Sequence, residues 1–341
     1  MAILVTGGAG FVGMNVVEQF LNDGKHVVMF DRLELSKSAS AVARPLGSRL
    51  ETIVGDINDA KGIKALFKRF EIESVVHAAV VTSSVAREVR EPKGIVETNV
   101  IGTVNVLSAA HAARCPRVVY LSSGQAYGKT HDERLPLFEE ISPSRPDDIY
   151  GISKFAAEQI ALRLGELCNL QVIGLRLGSV CGPWEFDTGV RDMLSPHLQV
   201  AQLALRGEKA IIPVTEVWRD WIYSRDVACG VAAAVRARTP GYRLYHLASG
   251  MDWQNTFATW CSMLQEAYPR FSWRFASEGE SPNVSHRVQR DRSPMDISRL
   301  VNDLRYKPRF AADAAFRDYL EWIRHHESFL LETDESQRNT T

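Results

Sequence analysis

The sequence predicts an α/β fold, in which a doubly wound parallel sheet carries a smaller, interleaved C-terminal lobe. Two observations predict it. Short, nearly continuous apolar runs alternate with amphipathic segments through the first 176 residues, and alternating βα units of this size form parallel sheets with right-handed crossovers. The chain also has 341 residues, of which 45% are hydrophobic, and this is enough to fill a sizeable core.

The predicted strands are rich in β-branched residues and apolar on both faces, which is typical of strands covered by helices on each side. They span residues 2–6, 26–30, 51–54, 74–78, 117–121 and 171–175. Apolar residues three or four positions apart predict a helix over 10–23, and Ile63, Leu66, Phe67 and Phe70 predict the next one.

The alternation of strand and helix patterns ends at about residue 176, and a loop-rich stretch with several prolines follows. We expect strands over 218–223 and 242–248, and helices near 198–205 and over 226–236, 255–268 and 315–331. The predicted organisation is a first domain of residues 1–176, to which 218–250 return, and a second lobe formed by 177–217 and 251–331. Residues 332–341 are polar, and we expect a frayed tail.

Composition excludes several classes of partner. Forty basic residues balance 41 acidic ones for a formal charge of −1, which offers no field to attract nucleic acid or an anionic membrane. No apolar run approaches the roughly 18–20 residues of a membrane span, and the first strand begins too early to leave room for a signal peptide. Five scattered cysteines, without a CxxC or a Cys/His run, predict reduced thiols, a cytoplasmic protein and no metal site.

A glycine-rich turn, TGGAGFVG over residues 6–13, joins the first strand to the first helix. Gly7, Gly10 and Gly13 let the turn close, let the backbone approach a pyrophosphate and let the helix pack on the strand. The free N–H groups and the dipole at the start of the helix attract phosphate. With Phe11 and Val12 between them, these glycines predict a dinucleotide site.

Asp31 ends the second strand, 18 residues after Gly13. A carboxylate there accepts the ribose hydroxyl protons of adenosine and repels a 2′-phosphate, which favours NAD over NADP. Arg32 leaves NADP open, because a guanidinium tolerates that phosphate. Asp56, after the third strand, either meets the adenine amino group or caps the following helix, and Ile57 beside it completes this part of the predicted cofactor site.

Tyr150 and Lys154 lie four residues apart in a predicted helix and therefore share one face. A phenol titrates near pH 10, and a neighbouring ammonium lowers its pKa, so that it can exchange a proton with a carbohydrate hydroxyl. Ser123 ends the fifth predicted strand, at the edge where open α/β sheets bind ligands. Alternation along the strand sends Ser122 the other way. Ser123, Tyr150 and Lys154 are the predicted catalytic residues.

Together these motifs resemble the extended short-chain dehydrogenase/reductases, in their NAD-dependent epimerase/dehydratase branch. The resemblance covers residues 2 to about 250 well and the remainder loosely. In chain order its motifs are TGGAGFVG from residue 6, Asp31, Gly55-Asp56-Ile57, His77-Ala78-Ala79, Asn99 within NVIGTVN, SSGQAYG from residue 122, YGISK from residue 150 and RLGSVCGP from residue 176.

The resemblance implies a Rossmann-type fold, NAD as the cofactor and a small carbohydrate as the substrate, held by the second lobe. It implies that the three predicted catalytic residues act as a triad, with Lys154 also holding the nicotinamide ribose. Ala78 and Ala79 would line the cofactor. Asn99, counted with the cofactor site, either stabilises the active-site helix or only begins a helix. The resemblance also implies a homodimer paired through helices at 95–113 and 150–167.

Departures from the family pattern reduce the number of reactions that the chain can be expected to catalyse. Sugar 4,6-dehydratases resembling this chain carry an Asp-Glu pair where it has Gly124-Gln125, neither of which titrates. Decarboxylating relatives carry a glutamate in place of Gln125, and 3,5-epimerising relatives need a cysteine near Gly124. Hydride transfer at a secondary alcohol remains, with Ser123 and Gln125 as predicted substrate contacts.

The second lobe decides between two kinds of substrate. Arg219 matches an arginine that grips the diphosphate in nucleotide-sugar enzymes, with Arg287 or Arg290 as its partner, because guanidinium forks suit phosphate oxygens. The alternative for Arg219 is an ordinary ion pair with Asp220 or Asp226.

Two departures argue against a nucleotide on the substrate: the RxxN motif from Arg176 lacks its usual asparagine, since the chain reads RLGS there, and IIPVTEV replaces a Tyr-Gly-Asp-Gly turn. We interpret the chain as a nucleotide-sugar (UDP-sugar) 4-epimerase. The alternatives are an NAD-dependent dehydrogenase of a free sugar or sugar acid, and a sensor that binds NAD without turnover. Trp184, Trp218 and Trp221 either line a sugar pocket or pack in the core.

Overall fold

Seven parallel strands form the central sheet of the protein. The computed structural model describes residues 1–35, 37–43, 47–130, 135–192, 194–214, 220–253, 255–285 and 292–331. Its strands are β1 (Ala2–Thr6), β2 (Val27–Asp31), β3 (Leu50–Val54), β4 (Ile72–His77), β5 (Arg117–Ser123), β6 (Gln171–Leu177), β7 (Ser179–Cys181), β8 (Lys209–Ile212), β9 (Trp221–Tyr223), β10 (Leu244–Leu247) and β11 (Ser272–Phe275). The central sheet has the order β3-β2-β1-β4-β5-β6-β10. This is the strand order of a doubly wound dinucleotide-binding sheet, and it confirms the predicted fold class.

Helices cover both faces of the sheet. They are α1 (Phe11–Asn22), α2 (Lys37–Ala43), α3 (Ala60–Arg69), α4 (Val85–Arg90), α5 (Pro92–Val96), α6 (Gly102–Ala112), α7 (Ile149–Leu167), α8 (Pro196–Arg206), α9 (Ser224–Arg236), α10 (Phe257–Ala267), α11 (Ser298–Leu304) and α12 (Ala312–His325). A π-helical turn, Glu97–Ile101, joins α5 to α6, and a 3₁₀ turn, Gly124–Tyr127, follows β5. Helices α1 and α9 pack together on one face, whereas α3, α6 and α7 form the other layer.

The core on the α1 side continues into the second lobe. Buried residues of β1 and α1 belong to the same apolar cluster as Trp260 and Tyr319, whose rings stack with centroids 5.2 Å apart. The second lobe contains two small parallel sheets, β7 with β9 and β8 with β11. The second lobe therefore shares its core with the α1 face of the central sheet.

The segment described from residue 220 crosses back to the central sheet. Helix α9 packs on α1, and β10 pairs with β6 from Leu244 opposite Gly174 to Leu247 opposite Leu177. Strand β9, by contrast, pairs with β7 outside the central sheet. The two parts of the chain are therefore interleaved.

Two predictions about individual elements are wrong. The six strands predicted for the first domain are present, but β3 is not covered on both faces: it lies at the sheet edge, and Val54 is 51% exposed. The helix predicted over 315–331 is interrupted, because α12 ends at His325 and His326 leaves the helical conformation with φ −132°. Residues 215–219 lie outside the described part of the chain, so the predicted strand over 218–223 is described only as β9.

None of the described helices is long and apolar enough to cross a membrane. All five cysteines lie in described segments and are unpaired, and four of them are buried. The described residues contain no group of three His, Cys, Asp or Glu side chains placed to hold a metal ion.

Candidate active site

The glycine loop forms one end of a cleft at the carboxyl edge of the sheet. Gly7, with φ +68°, lies so close to the β4 loop that a Cβ there would be 2.5 Å from the backbone of Ala79. A Cβ at Gly13 would lie 2.0 Å from the carbonyl oxygen of Gly7. Gly10 caps α1 without a side-chain hydrogen bond, so the first N–H groups of the helix face the cleft uncapped. This cradle suits the pyrophosphate of a dinucleotide.

The predicted adenosine end lies farther along the same wall. Asp31 accepts the N–H groups of Ala9, at 3.0 Å, and Leu33, at 3.1 Å. Burial raises the pKa of Asp31, although these backbone hydrogen bonds oppose the rise. Arg32 and Ile57 also line the cleft. Asp31 lies in the wall of the cleft, and its contact with the ribose stays a prediction.

Asp56 lines the cleft but does not cap α3. Its Oδ1 accepts the N–H of Asn58 at 2.8 Å, whereas the N-cap of α3 is Asp59, whose side chain accepts the N–H of Lys61. The capping alternative for Asp56 is wrong, because the helix begins three residues later than that role requires. The cleft-facing position leaves the adenine contact as the prediction for this residue.

The three predicted catalytic residues all line this cleft. Ser123 ends β5, and its Oγ accepts the N–H of Gln125 at 3.1 Å. Tyr150 is the second residue of α7 and is half-buried, and Lys154 follows one turn later. The structure therefore brings a hydroxyl, a phenol and an amine to one wall, next to Ala78 and Ala79 from the loop after β4.

Lys154 is almost entirely buried. Its Nζ donates to the carbonyl oxygen of Leu121 at 2.5 Å and lies 4.3 Å from the centroid of the Tyr120 ring. Burial lowers the pKa of Lys154 to about 7, although the Glu158 carboxylate favours the charged form. Burial, together with the charge of Lys154, lowers the pKa of His77 to about 3. Lys154 is therefore poised between its two protonation states near neutral pH, with a neutral histidine beside it.

A buried ion pair lies behind Lys154. Arg176 donates to Glu158 through Nη2 at 2.6 Å and through Nε at 2.8 Å, and Ser122 donates to the same carboxylate at 2.6 Å. Arg176 also stacks over the Tyr127 ring, whose hydroxyl meets His246 Nε2 at 2.5 Å. Ser122 bonds this network and Ser123 bonds the loop that bears Gln125, although both serines line the cleft. The preference for Ser123 as the catalytic hydroxyl stays a prediction.

Asn99 lies on the π-helical turn and is 1% exposed. Its Oδ1 accepts the N–H of Val81 at 2.8 Å, and its Nδ2 donates to the carbonyl oxygen of Val81 at 3.0 Å and to Ser153 Oγ at 2.9 Å. Ser153 in turn donates to the carbonyl oxygen of Tyr150 at 2.8 Å. Asn99 is not among the described residues that line the cleft. Its contacts tie the start of α7 to the loop after β4.

Gln125 links the start of α7 to the second lobe. Asp148 is the N-cap of α7: its Oδ1 accepts the N–H of Gly151 at 2.6 Å, while its Oδ2 accepts a hydrogen bond from Gln125 Nε2 at 2.5 Å. The side-chain oxygen of Gln125, Oε1, accepts a hydrogen bond from Arg292, which also lines the cleft. Sequence reasoning missed Arg292, because the spacing of arginines before Asp296 does not show which of them reaches the cleft.

Arg219 and Arg287, the predicted diphosphate ligands, and Arg290 lie outside the described residues. Trp218 lies there too. Trp184 is core: it is 1% exposed, and its ring centroid lies 5.7 Å from that of Trp322. Trp221 lines the cleft.

The sequence profile described as the NAD dependent epimerase/dehydratase family matches residues 3–248. The chain belongs to this family. It is similar to a UDP-glucose 4-epimerase of Yersinia enterocolitica, with 29% identity over 271 residues that cover 74% of this chain and 79% of the relative. It is also similar to a dTDP-glucose 4,6-dehydratase of Shigella flexneri, with 27% identity over 344 residues that cover 94% and 92%. A solved UDP-glucose 4-epimerase of Thermus thermophilus in complex with NAD superposes with a TM-score of 0.74 at 26% identity, covering 95% of this chain and 99% of that one.

Membership of this family confirms three predictions: the family itself, an enzyme, and NAD as its cofactor. The cleft fits this cofactor. The uncapped start of α1 and the close approach of backbone at Gly7 and Gly13 suit its pyrophosphate, and the carboxylate of Asp31 suits its ribose. The assignments of individual residues to cofactor and substrate remain predictions.

Proposed function

We propose that the protein is an NAD-dependent epimerase that inverts a secondary alcohol of a nucleotide sugar, with C4 of a UDP-sugar as the reacting position. One observation carries the proposal: Ser123, Tyr150 and Lys154 gather on the wall of the cleft that the glycine loop also lines. The similarity to the epimerases of Yersinia enterocolitica and Thermus thermophilus supports the same reaction class.

Tyr150 carries the proton in this proposal. NAD would be held by the glycine loop and Asp31, and when bound it would supply the hydride acceptor and donor for inversion at the sugar carbon. Tyr150 takes the proton of the sugar hydroxyl as that carbon is oxidised, and gives it back when the ketone is reduced. The Lys154 ammonium stabilises the phenolate form of the tyrosine, and Ser123 Oγ–H donates a hydrogen bond to the reacting oxygen.

The structure supports hydride transfer at the sugar carbon without elimination of water. The position of a dehydratase's acid and base is held by Gly124 and Gln125, and the amide of Gln125 bonds Asp148 and Arg292. An amide does not titrate and cannot move a proton from the sugar ring. Dehydration is therefore disfavoured, even though a 4,6-dehydratase aligns with most of the chain.

A second function is favoured by the missing asparagine of the RxxN motif. The chain has Ser179 at the fourth position of this motif, counted from Arg176. The asparagine contact expected of nucleotide-sugar enzymes is therefore absent. The second candidate is an NAD-dependent dehydrogenase of a free sugar or sugar acid, which releases NADH in each turnover.

The test compares UDP-sugars with free sugars and sugar acids on the purified full chain. We expect interconversion of a UDP-sugar and its C4 epimer without accumulation of NADH, and no turnover of free sugars. Net NADH formation from a free sugar acid would replace the epimerase with the dehydrogenase. No turnover of either panel, with NAD binding intact, would favour a sensor.

We also propose a homodimer in the cytoplasm. Val96, Ile101 and Ile152 leave 42%, 49% and 50% of their surfaces exposed on α5, the π-helical turn and α7, close together in the fold. Pairing of two copies would cover these side chains. Sedimentation equilibrium should show a dimer that Ile101→Glu weakens. A monomer at every concentration would contradict the pairing.

A further inference from the structure

Arg191 projects into the cofactor cleft from the second lobe. It lies in the loop between β7 and α8 and lines the cleft together with Gly10, Phe11 and Val12. Its guanidinium carbon lies 5.0 Å from the centroid of the Phe11 ring. Phe11 is the first residue of α1, so the arginine stands beside the start of that helix although it comes from a distant part of the chain.

The start of α1 carries no negative charge of its own. Its N-cap, Gly10, makes no side-chain hydrogen bond, and its first turn contains no acidic residue. The unpaired N–H groups and the helix dipole therefore present positive potential to the cleft. A cation placed beside them raises that potential further, and this arrangement favours an anionic ligand over an empty cleft.

A buried carboxylate holds Arg191 in place. Its Nη2 donates to Glu185 Oε1 at 2.5 Å, and Glu185 is 0% exposed. Glu185 also accepts the N–H of Ser195 at 2.8 Å. The Nε of Arg191 is buried and has no hydrogen-bond partner among the described residues. Glu185 thus orients the guanidinium through Nη2, and Nε still has an N–H group to donate.

The loop that carries Arg191 is fastened to the first domain. Thr82, after β4, donates its N–H to the carbonyl oxygen of Val190 at 2.8 Å. Asp192 accepts the N–H of Ser84 at 2.7 Å and the Nε of Arg87 at 2.7 Å. Burial would raise the pKa of Asp192, but the hydrogen bonds from Arg87 and Ser84 hold it below its usual value. The arginine is therefore presented by a loop that is anchored to the segment after β4.

We propose that Arg191 binds a phosphate oxygen of the NAD diphosphate and so holds the cofactor from the second lobe. A guanidinium suits phosphate in charge and in geometry. Its place beside Phe11 favours the diphosphate of the dinucleotide over that of a nucleotide sugar. The consequence is retention: the cofactor stays in the cleft between turnovers. The inference rests on NAD as the cofactor and is independent of the sugar.

The test measures ligand affinity on the full chain stripped of cofactor, by isothermal titration calorimetry with NAD, adenosine and UDP. Arg191→Ala should weaken NAD binding about 10- to 100-fold, the range for a hydrogen bond to a charged group, and leave adenosine binding unchanged. Arg206→Ala is the matched control, because Arg206 is also in the second lobe, is paired with Glu208 at 3.0 Å and does not line the cleft. We expect Arg206→Ala to bind NAD as the wild type does.

Removing Arg191 alone leaves Glu185 buried and unpaired, which can prevent folding. The double variant Glu185→Gln/Arg191→Met removes both charges and keeps the buried volume, so it serves as the second test. Weaker NAD binding in either folded variant, with adenosine binding retained, supports the proposal. Unchanged NAD affinity overturns it, and so does a loss confined to UDP, which would assign the arginine to the substrate.

Discussion

Replacing Gly13 by alanine tests how closely the first helix packs on the glycine loop. The added Cβ would lie 2.0 Å from the Gly7 carbonyl oxygen and 2.8 Å from Gly8 Cα, whereas ordinary contact begins at 3.4 Å. Backbone must therefore move by about 1.4 Å, because no flexible side chain can yield. Overpacking costs about 1–3 kcal/mol, and we place this backbone clash at the upper end. Alanine returns about 1 kcal/mol of helix propensity, so the net loss in unfolding free energy is about 2 kcal/mol.

The assay is urea unfolding of the cofactor-free protein, followed by a titration with NAD. Gly13→Ala should lower the unfolding midpoint without changing the slope, and should weaken NAD binding at least about tenfold, because the displaced loop forms the cradle. Gly94→Ala is the matched control: it is also a helical glycine, and the nearest atom to its Cβ lies 4.0 Å away, so stability should stay level or rise slightly. Wild-type stability and affinity in Gly13→Ala would refute this account of the loop.

Three further predictions concern single charges. Arg176→Met should lose about 3–5 kcal/mol of unfolding free energy, because Glu158 is then left buried and unpaired; Glu158→Leu/Arg176→Met should recover most of it, and equal losses would show that the pair is not coupled. Lys154 stays charged in the unfolded chain up to its usual pKa of 10.5 but sheds its proton near pH 7 when folded. The free-energy cost of burying the ammonium is therefore fully present below pH 7, and it decreases as pH rises by up to about 1.4 kcal/mol per pH unit. The unfolding free energy of the wild type relative to Lys154→Met should rise from pH 7 to 9. A difference that does not change with pH would contradict the burial of a charged Lys154. Asp31→Ala should raise affinity for NADP relative to NAD in paired titrations, since Arg32 remains to meet the extra phosphate; an unchanged ratio would remove Asp31 from the ribose contact.

The sequence predicts the first domain well because its signals are local. Gly7 follows β1 directly, Gly13 lies in the first turn of α1, and Tyr150 and Lys154 share a helix, so local spacing brings them to one edge of a parallel sheet. Burial was harder to predict than strand position: 51–54 reads as a covered strand, but topology places β3 at the sheet edge. The cap of α3 shows the same limit, since Asp56 and Asp59 carry the same side chain.

The opposite wall of the cleft depends on contacts between remote segments. Arg191 reaches the cleft through Glu185 and a loop fastened to Thr82, and Arg292 meets Gln125 across 167 positions. Such contacts follow from the path of interleaved loops, and no periodic pattern marks them. The sequence therefore predicts the fold, the family and the cofactor better than the side chains of this wall.

Tyr150→Phe tests the central claim most directly, because it removes one oxygen and keeps the ring. The measurement is the turnover number of the full chain with the UDP-sugar of the proposed function, next to the NAD dissociation constant of the same preparation. Tyr242→Phe, on an exposed tyrosine that does not line the cleft, is the control. We predict a loss of about 10²- to 10⁴-fold in turnover for Tyr150→Phe, with NAD binding unchanged and the control fully active. Turnover equal to the wild type would contradict the proposal that this phenol carries the proton.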